Sequence, residues 1–118
     1  MAYHSFEDLD VWKRSAQLAV TICKKLSDCR EYGIKDQITR SAVSIPSNIA
    51  EGADRDSIRE FRRFVNIAKG SAAELRTQIY IAREINLVDE KFTVTTIQEL
   101  REISAMLHGL SKSLLNTL

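Results

Sequence analysis

Ser57-Ile58-Arg59-Glu60-Phe61-Arg62-Arg63-Phe64-Val65-Asn66-Ile67-Ala68-Lys69-Gly70-Ser71-Ala72-Ala73-Glu74-Leu75-Arg76-Thr77-Gln78-Ile79-Tyr80-Ile81-Ala82 is the stretch that decides the architecture. Within it Ile58, Phe61, Val65, Ala68, Ala72, Leu75, Ile79 and Ala82 alternate steps of three and four without a miss. A strand repeats its apolar residues every second position, so this rhythm belongs to a helix. Ser57 and Glu60 open it as a capping box: a hydroxyl for an orphan N–H, and an acid at the third helical position. Asn86 and Leu87 mark the exit.

The same rhythm extends on both sides. Downstream, Asp89 is a plausible N-cap before Thr96, Leu100, Ile103, Leu107, Leu110, Leu114 and Thr117. Upstream, Ile34, Ile38, Ala42, Ile45 and Ile49 form a second helix closed by Gly52. Pro46 lies inside it, removing one donor and crowding the Ala42 carbonyl at a cost of about 3 kcal/mol. The apolar phase carries through the proline, which predicts a kink rather than a break. Before that, Ser5-Phe6-Glu7-Asp8 resembles a capping box, and Leu9, Trp12, Ala16, Ala19, Cys23 and Leu26 form a seam. Tyr32-Gly33 is expected to end this first helix, with Gly33 in the left-handed C′ position. Four amphipathic helices joined by short connections predict an all-α, up-down-up-down antiparallel four-helix bundle, one domain over residues 1–118.

Composition agrees. The chain has 118 residues, and four glycines and one proline are too few for a sheet protein with many tight turns. Seventeen basic against sixteen acidic residues leave no bulk charge to draw the chain to nucleic acid or membranes. No run approaches the roughly 20 apolar residues of a membrane span, and the first eight residues lack the basic and apolar regions of a secretory signal. Cys23 and Cys29, about 120° apart on a helix, cannot bridge each other and suit a reducing, cytoplasmic setting.

Two features exceed what a lone bundle needs. With Ile58 at heptad position a, Phe64 and Ile85 fall at g and Ile67 and Ile81 at c, a greasy arc wrapping past the seam on one side. Val11, Leu18, Ile22 and Cys29 make a second stripe on the first helix, and Phe92, Ile97, Met106, Leu115 and Leu118 add to the fourth. A wide stripe can serve two neighbours within one bundle. The alternative is a subunit interface at Phe64, Ile67, Ile81 and Ile85, with Gly70-Ser71-Ala72-Ala73 allowing close backbone approach. The second feature is a basic row. Arg62, Lys69, Arg76 and Arg83 share position e, with Arg55 and Arg59 toward the same flank. Such charges commonly shield a bundle seam; a track for phosphates is the other reading.

Arg40-Ser41-Ala42-Val43-Ser44-Ile45-Pro46-Ser47-Asn48-Ile49-Ala50-Glu51-Gly52 completes the picture. Together with Phe6-Glu7-Asp8-Leu9, Val11-Trp12, Glu60-Phe61, Gly70-Ser71 and Glu74-Leu75, it resembles the four-helix proteins encoded in intervening sequences of bacterial 23S rRNA genes. The resemblance spans essentially the whole chain. It implies a small cytoplasmic bundle assembling as a ring-like homopentamer of undefined molecular activity. The chain is also similar to the accessory variability protein of diversity-generating retroelements, a pentameric bundle thought to engage reverse transcriptase and nucleic acid through basic surfaces. Within the motif, Ser41, Ser44, Ser47 and Asn48 place small polar groups around Pro46, where they can satisfy a freed carbonyl. Asn48 can also reach a neighbouring helix. Arg40 and Glu51 can pair across the bundle or between subunits, so Arg40, Ser44, Pro46, Ser47, Asn48, Glu51 and Gly52 are expected to be structural.

Catalysis finds no constellation. His4 and His108 are the only imidazoles, and neither has a second His or Cys at helical metal-site spacing. No phosphate loop, nucleophile elbow or Cys–His pair is present. The expectation is a non-enzymatic oligomeric scaffold with no cofactor, metal or small-molecule substrate. It engages RNA or a nucleic-acid-processing partner through Arg55, Arg59, Arg62, Lys69, Arg76 and Arg83. The alternative is a protein–protein adaptor ring without nucleic acid.

Overall fold

The computed structural model describes residues 5–118, so His4 lies outside the described residues. Four α-helices follow a short 3-10 turn at Phe6–Asp8: α1 (Asp10–Lys25), α2 (Tyr32–Ala53), α3 (Ile58–Glu84) and α4 (Glu90–Thr117). There is no strand among the described residues. The molecule is a rod of 45 × 20 × 19 Å. Each helix packs on two neighbours, most extensively α2 on α3 and α3 on α4, most sparsely α1 on α4.

The core of α3 follows its rhythm closely. Phe61, Val65, Ala68, Ala72, Leu75, Ile79 and Ala82 are buried and Ile58 is half-buried. Ser57 Oγ accepts the Glu60 N–H at 3.2 Å, whereas the Glu60 carboxylate turns forward to Arg63 at 3.8 Å, so only half of the capping box forms. At the other end Asn86 adopts φ 64°. Its N–H reaches the Arg83 carbonyl and the Leu87 N–H the Ala82 carbonyl, a Schellman motif with asparagine in the left-handed position. Asp89 caps α4, its Oδ1 accepting the Phe92 N–H at 2.7 Å. Five of the seven positions expected along α4 (Thr96, Leu100, Ile103, Leu107 and Leu114) are buried, while Leu110 is half-buried and Thr117 exposed.

The first helix departs from expectation. Val11, Ser15, Leu18, Ala19 and Ile22 are the buried positions, while Trp12, Ala16 and Cys23 are half-buried. From the stripe read as surplus, Val11, Leu18 and Ile22 join the core beside Ala19 and Leu26 of the expected seam, whose Leu9, Trp12, Ala16 and Cys23 lie at its flank. Ser15 disguised that stripe. Its hydroxyl is harmless inside because it donates to the Trp12 carbonyl at 3.1 Å. Trp12 instead meets Phe6 edge-on, ring centroids 5.2 Å apart. The Ser5 cap belongs to the 3-10 turn, not to α1.

Gly33 is also relocated. The first helix stops at Lys25, where Ser27 turns both its N–H and its Oγ onto the Lys24 carbonyl. Gly33 lies in the first turn of α2 without a positive φ. The latter helix runs unbroken from Tyr32 to Ala53 with Pro46 buried inside it. Gly52 falls within its last turn, where it meets α3: a Cβ there would stand 2.6 Å from Phe64 Cβ. Gly70, by contrast, has nothing within 4 Å of such a Cβ, so no close approach inside the chain explains it.

Candidate nucleic-acid interface

The α2–α3 contact positions the rest. Ser41 Oγ donates to Glu74 Oε1 at 3.0 Å, and the Ser44 and Ser71 hydroxyls meet at 2.8 Å. Asn48 does not cross to another helix. Its amide donates to the Ser44 carbonyl and Oγ at 2.8 and 3.0 Å, holding the serine toward α3, and it does not serve the Ala42 carbonyl that Pro46 leaves. Glu51 pairs with Arg55 at 3.6 Å, one turn along the same chain. Arg40 and Ser47 are exposed and line a surface hollow with Asp36, Thr39, Val43 and Ser44.

Phe64 is not an outer residue. It is 7% exposed, packed against Gly52, with the guanidiniums of Arg55 and Arg63 each 5.0 Å from its ring centroid. Within α3 the g positions Phe64 and Ser71 face α2, which the heptad assignment alone could not tell from an outward face, whereas Ile85 lies past the helix end. Ile67, Ile81 and Ile85 do remain outside, at 41, 45 and 51% exposure.

The basic row lies along the opposite flank of α3, against α4, with successive members about 10.5 Å apart by helical rise. It is not uniform. Arg62 Nε donates to the Ser111 carbonyl at 3.1 Å, and Lys69 Nζ lies 3.3 Å from His108 Nδ1. Asn66 and Lys112 join them around a hollow of about 430 Å³ that no carboxylate lines. Arg76 is half-buried with its Nε enclosed. Arg83 is neutralised, meeting Glu84 at 3.0 Å and Glu90 at 3.8 Å with its guanidinium 5.2 Å from the centre of the Tyr80 ring. Arg55 is held by Glu51, and Arg59 stands exposed beyond the row. The row therefore divides into a free half at Arg62 and Lys69 and a compensated end at Arg83. Sequence reasoning missed Asn66 and Lys112. Lys112 follows His108 by four residues and so shares its face, a signal readable only once His108 is known to face α3.

A larger cleft of about 650 Å³ opens along the sparse α1–α4 seam, lined by Leu18, Phe92 and Val94 among others. Its charges are spent on each other. Arg14 clasps Glu99 through two nitrogens at 3.0 and 2.5 Å and reaches Glu102 at 2.7 Å. The Arg14 hydrogen bond, helped by the Gln98 amide, holds the Glu102 carboxyl below its ordinary value, and the same clasp raises the Arg14 pKa. A depressed carboxylate stabilises the fold in full above its unfolded pKa and loses that contribution as pH falls through the folded value. Thermal melts from pH 6 downward are therefore expected to show a steeper acid loss in the natural protein than in Glu102→Gln. Parallel curves would remove this account of the clasp.

Among the described residues no group of three His, Cys, Asp or Glu side chains could hold a metal, and no helix is long and apolar enough to cross a membrane. The family model described as 23S rRNA-intervening sequence protein matches residues 7–109. The fold is similar to the crystal structure of a protein with unknown function from the S23 ribosomal protein family of Bacteroides thetaiotaomicron. That match has a TM-score of 0.81 and 26% identity, covering 86% of this chain and 98% of the other. No curated protein matches the sequence.

Proposed function

Because the chain belongs to the 23S rRNA-intervening sequence protein family, we propose that it is a non-enzymatic oligomeric scaffold that engages RNA through the α3–α4 groove. One observation carries the RNA part: Arg62, Lys69 and Lys112 converge on a hollow that contains no acidic side chain. In a chain of net charge +1 such segregation is local, and it suits contacts to phosphate rather than to base edges. Arg62 and Lys69 are the principal phosphate contacts, Lys112 joins them from α4, and Arg59 and Arg76 extend the track. Arg55 and Arg83 contribute less because carboxylates already hold them.

The exposed Ile67, Ile81 and Ile85 support the oligomer, since α3 carries them on the flank away from the basic row. Five subunits follow from the resemblance to the pentameric bundles of this kind and of the retroelement accessory proteins. In light scattering the protein is expected to run as a multimer and Ile67→Asp/Ile81→Asp as a folded monomer. A natural protein that is monomeric at micromolar concentration refutes the assembly.

Fluorescence anisotropy with a structured RNA at two salt concentrations tests the binding. Affinity is expected to fall steeply with salt; salt-indifferent or absent binding refutes the RNA reading. A partner recovered equally well after nuclease treatment would favour the adaptor without nucleic acid.

A further inference from the structure

The groove holds more than a general positive field. Arg62 spends only Nε on the Ser111 carbonyl, and neither terminal nitrogen of its guanidinium has a partner among the described residues. Asn66 spends its Oδ1 on the Ser111 hydroxyl at 2.9 Å, and its amide N–H groups have no partner among the described residues. Lys69 is an ammonium with no acceptor of its own, so the His108 Nδ1 beside it must accept, and in neutral imidazole the proton then sits on Nε2. Lys112 stands at the rim with no partner among the described residues. Ser111 thus absorbs the acceptor of Asn66 and the inner nitrogen of Arg62 together. What remains around the hollow is a set of side-chain donors drawn from two helices, and no carboxylate.

We propose that this hollow is a seat for a single phosphate group, bound by Arg62, Asn66, Lys69, His108 and Lys112. The inference rests on the reading of the α3–α4 groove as a phosphate-binding surface. It adds a fixed position to that surface, set by neutral donors as well as charges. Planar guanidinium and carboxamide N–H pairs held from behind are arranged to meet several oxygens at once, as charge-assisted hydrogen bonding requires. The phosphate can belong to a nucleic-acid strand or to a small phosphorylated molecule, since the chemistry presented is the same.

Titration of the full-length protein with inorganic phosphate, followed by NMR, tests the seat. Saturable shifts of the Asn66 side-chain amide and the His108 ring are expected, absent with chloride at matched ionic strength. Asn66→Asp, which places an acceptor where donors stood, is expected to weaken phosphate at least about tenfold. Lys13→Gln, which removes the same unit of charge from the exposed side of α1, away from the hollow, is expected to stay within about twofold. Lys112→Gln serves as a second variant, since its exposed side chain leaves folding alone; it should weaken phosphate by several-fold. Shifts matched by chloride, or equal losses in Asn66→Asp and Lys13→Gln, overturn the seat. If RNA binds the natural protein while phosphate fails to shift Asn66, the seat alone falls. If phosphate binds and displaces no RNA because none is bound, the seat stands for a small phosphorylated ligand and the RNA reading falls.

Discussion

Gly52→Ala is expected to destabilise the bundle by about 2 kcal/mol, and Gly70→Ala to stabilise it by about 1 kcal/mol. Both glycines sit inside helices, where alanine is intrinsically preferred by about 1 kcal/mol, so propensity alone predicts two gains. Packing reverses one of them. A methyl group at 52 would meet Phe64 Cβ at 2.6 Å and the Phe61 carbonyl oxygen at 3.2 Å. Neither atom can rotate away, because both are fixed to the α3 backbone. The helices must part, and that separation disturbs the Phe64 ring on which Arg55 and Arg63 stack. At 70 the added methyl meets nothing. Urea denaturation with unchanged m-values measures both. Gly52→Ala as stable as the natural protein would mean that α2 and α3 are not in close contact at this end. Gly52→Val should exceed the alanine loss, since its branch adds bulk to the same gap.

The second large effect is on RNA. Alanine at Arg62, Lys69 and Lys112 together is expected to lower affinity by about two orders of magnitude near 0.1 M salt. The slope of log K against log salt should become shallower by about two to three. Three cations that no carboxylate holds among the described residues are removed, and each neutralised phosphate contributes about 0.7–0.9 to that slope. The matched control is Arg55→Ala with Arg83→Ala. Those cations already sit beside Glu51, Glu84 and Glu90, so their loss should change the slope by less than about one. Equal effects of the two sets would show that binding senses overall charge rather than this groove.

The helices were legible to different degrees for identifiable reasons. The long α3 has no polar residue on its buried seam except where g-position Gln78 flanks it, so period and burial coincide. In α1 the buried stripe contains Ser15, and a polar residue at a core position shifted the apparent phase by a fraction of a turn. Cap residues Ser57 and Asp89 act locally and were readable. Gly33 was not, because Ser27 ends α1 earlier by a side-chain bond to Lys24 that competes with the helix. The motif around Pro46 was read as structural, and Ser41 and Ser44 do join α2 to α3. Asn48 works within α2, because its amide reaches the Ser44 carbonyl one turn back.

Sequence by itself determined that four helices form, that α3 presents its core as one clean stripe, and that the e positions of α3 form a basic row. Those properties follow from residue spacing on a single helix, which neighbours do not alter. Only the tertiary structure decided which of those cations are free. Whether Arg62 meets the Ser111 carbonyl or Arg83 meets Glu90 depends on how α4 is set lengthwise against α3. That register comes from the packing of both helices and the loop between them. The same holds for Phe64. Position g is outward or inward according to where α2 lies, and here Gly52 lets α2 come close enough to cover it.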